Sequence, residues 1–151
     1  MERTASSLPS TPLLRGNKGA RSSQSADKSG DGTNVDRPRP VEVVELPEAI
    51  AIAAGGFHSC AITHRQEVYC WGDNRSGALG DGSAESRTKP VLVQGLANVT
   101  ALACGTGFSC AETEIGEVHC WGRGSFGQLG DGSTEDSPRP RRARASSVQT
   151  K

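Results

Sequence analysis

The sequence predicts an all-β fold made of repeated, antiparallel four-stranded units, flanked by disordered tails. Three observations predict it. Residues 40–89 laid over 90–139 without a gap give 23 identities in 50 positions, and a period of this length is typical of propeller blades or solenoid units. Short apolar runs bounded by turn residues fill each unit. The content of 34% hydrophobic and 4% aromatic residues is low for a helical core, and 19 glycines and 8 prolines also disfavour helices.

The chain divides into four segments. Residues 1–36 are rich in Ser, Gly, Lys, Arg and Pro, a mixture that cannot offset the entropy of ordering it, so we predict disorder there. The segment GDGTNVDRPRP, residues 30–40, nevertheless matches GDGSAESRTKP and GDGSTEDSPRP one and two periods later, and is the end of a degenerate unit. Residues 37–89 and 90–139 are the two complete units. Residues 140–151 form a basic, Ser-rich tail that we also expect to be disordered.

Each unit supplies about four predicted strands. In chain order they are VEVV and VLV, then AIAIAA and VTALAC, then HSCAIT and FSCAET, then VYCW and VHCW. All are short and end at Gly, Pro or polar turns, which is the pattern of a small antiparallel sheet.

Two cysteines face each other in each predicted hairpin. In HSCAITHRQEVYCWG, a register centred on Arg65 puts Cys60 opposite Cys70. Directly opposed residues of antiparallel strands are close enough for a disulfide. We therefore predict two disulfides in an oxidising environment, and the second unit repeats the register with Cys110 and Cys120. In a reducing compartment all the cysteines would remain thiols.

The cellular location stays open at this point. Paired cysteines favour an extracellular or periplasmic protein. The N-terminus MERTASSLPSTPLLRGNKGA lacks the apolar segment of a signal peptide, which favours the cytoplasm.

The run AIAAGGFHSCAITHRQEVYCWGDNRSGALGDGSAESRTKPVLVQGL resembles the repeat of the regulator of chromosome condensation family, in its Cys-containing bacterial-type variety. Spacing, Trp-Gly and the Leu-Gly-Asp-Gly turn agree in both units, over residues 37–140. The sequence departs from the family pattern in THRQEV, where Asp-Gly is usual, and in GTGFSC, where a His is expected. The resemblance implies a β-propeller of four-stranded blades. Because family members typically have seven blades, two units imply a partial propeller, a fragment of a longer array.

A set of repeated residues is predicted to be architectural. Glycine permits tight turns with positive φ and close approach of neighbouring backbones, and the Trp covers its neighbours. The two Asp side chains are expected to accept hydrogen bonds from their own turns. The set is Trp71, Gly72, Gly77, Leu79, Gly80, Asp81 and Gly82, with Trp121, Gly122, Gly127, Leu129, Gly130, Asp131 and Gly132.

Other motifs favour no cofactor or metal. The run DNRSGALGDGSAE lacks the EF-hand ligand spacing, and GRGSFG matches a dinucleotide fingerprint outside the strand-to-helix context that fingerprint needs. No C-x-x-C pair is present, so a zinc ribbon is disfavoured. His58, His64 and His119 do not recur at equivalent positions and are expected at the surface or at strand edges.

The expected function is binding of another protein of unknown identity. Catalysis is not expected, since the sequence brings together no nucleophile, general base and oxyanion-stabilising group. Lys and Arg balance Asp and Glu at 17 each, so the charge indicates neither a nucleic acid nor a membrane as partner. The alternative, implied by the resemblance, is a regulator of a small GTPase such as a guanine-nucleotide exchange factor. Open blade edges also lead us to expect self-association.

Cys104 is predicted to be the unpaired thiol, since Ala54 occupies its position in the first unit. A small residue is therefore accommodated there, and we expect Cys104→Ala to change the free energy of unfolding by less than about 1 kcal/mol. Thermal melting of the full chain measures this. Loss of folding would show that Cys104 is bonded or ligating.

Overall fold

Two four-stranded antiparallel sheets, here called blade 1 and blade 2, form the protein in a computed structural model that describes residues 30–33 and 43–144. Blade 1 contains β1 (Ala49–Ala54), β2 (His58–Thr63), β3 (Val68–Gly72) and β4 (Arg87–Leu92). Blade 2 contains β5 (Val99–Cys104), β6 (Phe108–Thr113), β7 (Val118–Gly122) and β8 (Ser137–Arg142). Each sheet has its strands in chain order, and no helix occurs in the described segments. The all-β, propeller-type prediction is confirmed.

The pairing register repeats from one blade to the other. Cys60 pairs with Cys70 across β2 and β3, as the sequence register predicts, and Cys110 pairs with Cys120 across β6 and β7. Irregularities recur at equivalent positions in the first and last strand pairs of each blade. The 50-residue period is therefore a structural repeat.

The blade boundaries differ from the units drawn on the sequence. The predicted limit between residues 89 and 90 falls inside β4, so the apolar run VLV ends blade 1 instead of opening blade 2. Val43 and Val44 of the run VEVV lie outside any strand, and residues 41 and 42 are outside the described part. A repeat period gives the length of a unit but not the strand at which the unit begins.

The start of the predicted C-terminal tail also differs. Its first three residues, Pro140, Arg141 and Arg142, belong to β8. A proline is compatible with this strand because β8 lies at the edge of its sheet, where a missing N–H removes no ladder bond. Ala143 and Arg144 follow β8 outside any strand, and residues 1–29, 34–36 and 145–151 of the predicted tails lie outside the described residues.

The main hydrophobic core lies between the two blades. Ile62, Val68 and Leu79 of blade 1 pack with Val99 and Trp121 of blade 2, all at most 1% exposed. All six residues of β2 are buried, whereas β6 alternates, because β2 is covered on both faces and β6 on one.

A second, smaller cluster covers the opposite face of blade 1. Trp71 packs there with Ala49 and Ala61. Gly30 lies directly against the Trp71 indole, so the degenerate earlier unit supplies part of this cover. The trace of a third unit in the sequence thus has a structural role.

The outward face of blade 2 is more polar than the equivalent face of blade 1. Glu112 stands at the position of Ile62, and Arg141 at the position of Val91. Val118, the equivalent of Val68, is 39% exposed. The two blades are therefore not interchangeable, although their backbones repeat.

Gly77 and Gly127 are equivalent positions of the two blades, and comparing them separates the energetic cost of backbone strain from that of crowding at the blade junction. Gly77 and Gly127 both have positive φ, 84° and 75°. A Cβ at Gly77 would lie 2.7 Å from the Pro138 Cα, whereas a Cβ at Gly127 would meet nothing within 4 Å.

We expect Gly127→Ala to destabilise the chain by about 1 to 2 kcal/mol, the cost of a left-handed alanine. Gly77→Ala should cost about 1 to 3 kcal/mol more, because the Pro138 backbone must shift. Chemical denaturation of the full chain measures both variants. Equal losses would show that the junction has room for a methyl group.

Candidate functional site

Long loops from both blades lie at one end of the sheets and form the candidate site. The β3–β4 loop of blade 1 spans 73–86 and the β7–β8 loop of blade 2 spans 123–136. We call these two loops the loop face. Both emerge beside the β1–β2 and β5–β6 turns, since Gly72 pairs with His58 and Gly122 with Phe108.

A tryptophan of blade 2 fixes the blade 1 loop. The Trp121 Nε1–H donates to the Ala78 carbonyl at 2.8 Å, and the Ser109 hydroxyl donates to the same oxygen at 3.0 Å. Gly80 lies against the indole, so close that a Cβ there would be 2.8 Å from Nε1. Its φ of 72° also favours glycine. Trp121 thus covers the backbone of residues 78–80, which we call the socket. A loop without glycine at position 80 could not form it.

The same contact occurs one period earlier. A Cβ at Gly30 would lie 2.8 Å from Trp71 Nε1. Backbone bonds accompany it in both places: the Gly32 amide donates to the Thr88 carbonyl at 3.0 Å, as the Gly82 amide does to Pro138 at 3.0 Å. The architectural role predicted for the repeated Trp and Gly residues therefore has a specific geometry, in which the Trp of one blade packs on the Gly of the blade before it.

Asn74 organises the interior of the blade 1 loop, and sequence reasoning missed it. Its fully buried amide donates to the Ser83 and Glu85 carbonyls at 3.0 and 2.9 Å, and its oxygen accepts from the Leu79 amide at 2.8 Å. Blade 2 has Gly124 at this position, so the repeat gives no signal for it. The Asn74 side chain, which begins the sequence Asn-Arg-Ser of a formal glycosylation motif, is therefore enclosed by the loop.

The Asp-Gly-Ser turns form as predicted. Asp81 Oδ1 accepts from the Ser83 amide at 2.9 Å, and Asp131 Oδ1 accepts from the Ser133 amide at 3.0 Å. The equivalent Ser hydroxyls donate to the same oxygens at 2.8 and 3.0 Å. Each carboxylate is thereby used within its own loop.

Arginines complete both turns and lower the carboxyl pKa values. The hydrogen bond from Arg141 at 2.8 Å, followed by the Ser133 amide bond, lowers the pKa of Asp131 to about 2. Burial alone would raise the pKa of Asp81, yet the Ser83 and Arg87 interactions outweigh it and the net pKa is lowered. Both groups are therefore anionic at neutral pH, which maintains the pairs.

Exposed side chains at the tip of the blade 2 loop are of a different kind. Phe126 is 82% exposed, and the Arg123 guanidinium carbon lies 5.7 Å from its ring centroid, within cation–π range. Blade 1 has Ser76 and Asp73 at these two positions. An exposed aromatic beside an arginine is thus specific to blade 2.

The opposite end of blade 2 contains a shallow cavity of about 240 Å³. Thr113, Glu117 and His119 contribute polar groups to it, and the His119 Nδ1 is buried without a hydrogen-bond partner. Ile115, 75% exposed, lies at the tip of the adjoining hairpin. This end of the blade is separated from the loop face by the length of the strands.

Both predicted disulfides are present. Cys60 and Cys70 are joined with a Cα–Cα distance of 4.0 Å, and Cys110 and Cys120 with 4.1 Å. Cys104 belongs to neither disulfide, as predicted, and its sulfur lies 3.8 Å from the Ser109 hydroxyl.

His58 was predicted at the surface or at a strand edge; it is the first residue of β2 and is 1% exposed at the blade junction, so the surface alternative is wrong. Its Nε2 lies 2.8 Å from the hydroxyl of Ser109, which belongs to blade 2. The hydroxyl is fully buried and already donates to a backbone carbonyl, so the pair joins the blades and has no access to a substrate. His64 is exposed and His119 is half-buried.

One group of side chains in the described part could hold a metal ion. A ring nitrogen of His58 and the sulfur atoms of Cys60 and Cys104 all lie within 4.8 Å of one another. Neither the repeat period nor a short Cys spacing could have found this group, because its members come from strands of two blades. As for the membrane, the described residues form no helix that is long and apolar enough to span one.

Comparison with known proteins identifies the repeats. The sequence profile of the Regulator of chromosome condensation (RCC1) repeat matches residues 66–111 and 116–150, and a second profile with the same description matches 49–78 and 99–128. The human E3 ubiquitin-protein ligase HERC2 is 44% identical over 50 residues, which are 33% of this chain and 1% of that protein.

Two solved structures are similar in fold. The crystal structure of Kap60 bound to yeast RCC1 (Prp20) gives a TM-score of 0.64 at 22% identity, over 79% of this chain and 30% of that chain. The human WBSCR16 structure gives 0.62 at 28% identity, over 76% of this chain and 31% of that one. The chain thus spans about a third of these structures. Because the first profile alone covers more than half of the sequence, the chain belongs to the regulator of chromosome condensation (RCC1) repeat family.

Proposed function

We propose that the chain is a protein-interaction module that contacts its partner through the loop face. The observation that carries the proposal is the exposed pair of Phe126 and Arg123 in the β7–β8 loop, which is held by hydrogen bonds from the Gly124 amide to Asp136 and from Arg141 to Asp131. Aromatic and arginine side chains supply a large share of the binding energy at protein interfaces. A fixed loop also loses little conformational entropy on binding.

Residues that repeat in both loops and residues that differ between them have different environments, and this supports the proposal. The repeated residues of each loop are buried or bonded within it, as Leu129 and Asp131 are in blade 2. Several loop positions that differ between the blades face solvent, although Asn74 is buried: the exposed Arg75 of blade 1 pairs with Asp73 at 2.6 Å, whereas blade 2 presents Phe126. Such variation at fixed positions is how one scaffold acquires a specific partner.

The relatives favour a protein as the partner. The similar yeast protein was crystallised with Kap60 bound. Its likeness to this chain supports the fold alone, so the partner here has to be identified by experiment. Open blade edges additionally lead us to expect self-association, which sedimentation of the isolated chain tests.

The test exchanges the exposed pair for the residues that blade 1 has at the same positions. Arg123→Asp together with Phe126→Ser removes the cation–π pair but leaves the buried loop residues in place. For a protein captured by the immobilised wild-type chain, we expect the double variant to bind about 30-fold more weakly, the effect of losing a contact of about 2 kcal/mol.

The matched control is Ile115→Arg, which removes the exposed apolar group at the opposite end and introduces the residue that blade 1 has there, Arg65. It should bind like the wild type. Unchanged binding by the double variant, or loss of binding by the control, would place the interface elsewhere. If the captured protein is a small GTPase, a nucleotide-release assay with the wild-type chain decides whether binding also accelerates exchange.

A further inference from the structure

The blade junction brings together three residues whose side chains are common zinc ligands. His58 and Cys60 lie in β2 of blade 1, and Cys104 lies at the end of β5 in blade 2. Their donor atoms are within 4.8 Å of one another. Donor atoms around a tetrahedral zinc ion lie about 3.5 to 3.8 Å apart, given bond lengths of about 2.0 to 2.3 Å. Small side-chain shifts would therefore suffice to bring the three into coordination distance.

The three donors already converge on one point. The Ser109 hydroxyl lies 2.8 Å from His58 Nε2 and 3.8 Å from each of the Cys60 and Cys104 sulfur atoms. His58 is 1% exposed, Cys60 is fully buried and Cys104 is partly buried. The three donors therefore border the same buried hydroxyl, in a region with little access for bulk water, as in structural metal sites.

Reduction would supply a fourth donor. The Cys70 sulfur is bonded to the Cys60 sulfur and is thus next to the same group of donors. While the disulfide is closed, neither cysteine can provide a thiolate. When it opens, two thiols appear beside His58 and Cys104, and the set becomes three Cys and one His, a usual ligand set of structural zinc.

We propose that the reduced protein binds one Zn²⁺ through His58, Cys60, Cys70 and Cys104, and that closing the Cys60–Cys70 disulfide abolishes the site. In the reduction, a dithiol is oxidised to its disulfide while the Cys60–Cys70 bond accepts two electrons and two protons. On binding Zn²⁺, the three thiols release their protons to solvent and neutral His58 donates a nitrogen lone pair.

The two states differ in what they connect. The disulfide joins β2 to β3 within blade 1, whereas the zinc site also includes Cys104 of blade 2. Zinc would therefore hold the two blades together, which the disulfide does not do. The blade junction is thus linked to the redox state of its surroundings.

Blade 2 provides an internal control within the same molecule. Its disulfide, Cys110 to Cys120, has the same register, but Phe108 stands at the position of His58. Reduction of this pair gives two thiols without the histidine. The proposal therefore predicts zinc at one hairpin and not at the other.

The first experiment uses the wild-type full chain, reduced with a phosphine and then freed of it under anaerobic conditions. We expect one Zn²⁺ per chain by elemental analysis and, with Co²⁺ as the probe, absorption bands of tetrahedral thiolate coordination. Zn²⁺ should protect Cys60, Cys70 and Cys104 from alkylation, while Cys110 and Cys120 react. The oxidised protein should bind no zinc. Absence of zinc from the reduced protein, or equal protection of all five cysteines, would overturn the proposal.

The second experiment uses variants taken from the repeat itself. Cys104→Ala and His58→Phe introduce the residues found at the equivalent positions of the other blade. Each should weaken zinc binding more than about 100-fold. Removing a group that only hydrogen-bonds to a metal ligand costs about 10- to 100-fold, so a larger loss indicates direct coordination. Cys110→Ala with Cys120→Ala should keep full zinc binding. Retention of zinc by Cys104→Ala, or its loss from the blade 2 control, would overturn the assignment. Cys104→Ser, which keeps the size of the side chain, replaces Cys104→Ala if that variant does not fold.

Discussion

The contact between the Trp121 indole and the backbone of Ala78 and Gly80 is the constraint on which the rest of the structure depends. An indole N–H buried in the core needs an acceptor, and the Ala78 carbonyl supplies it at 2.8 Å. The ring can reach this carbonyl only because Gly80 has no side chain. The contact therefore sets the distance between the blades, and the main core fills the space that this distance leaves.

The same constraint determines which residues are available for function. Trp121, which closes the socket, and Leu79, which lines it, are buried and recur as Trp71 and Leu129, whereas Ala78 contributes its backbone carbonyl and is replaced by Gln128. Substitutions are tolerated at the tips of the loops, where Phe126 replaces Ser76 without disturbing the frame. Binding specificity can thus change at the tips while the packing that supports them stays the same.

Much of the fold follows from the sequence because its signals are local or periodic. The 50-residue repeat, the strand runs and the hairpin register predict the sheets and the pairing of Cys60 with Cys70. The period could not tell where a blade begins, so β4 was divided between two units. That boundary depends on hydrogen bonds between strands β3 and β4, which are separated by a 14-residue loop, and a local pattern does not contain them.

The features of the site that escaped prediction are contacts between segments distant in the chain. Asn74 is replaced by Gly124 in the second unit, so no repetition points to its network. The sequence predicts His58 at the surface or at a strand edge because it does not recur, yet it is buried and its partner Ser109 lies in the other blade. The group of His58, Cys60 and Cys104 was hidden for the same reason, since short Cys spacings, the usual sign of zinc, are absent.

The socket also bears on how such a chain can arise by gene duplication. Each of the two complete units carries a Trp that packs on the Gly turn of the unit before it, Trp71 on Gly30 and Trp121 on Gly80. When one unit is duplicated in tandem, the Trp of the new copy can therefore pack on the Gly turn of the original unit, and no new interface has to evolve. The stacking is also polar, so neighbouring units have a defined order. Divergence can then mark individual positions in that order, as Glu112 and Arg141 mark the outward face of blade 2.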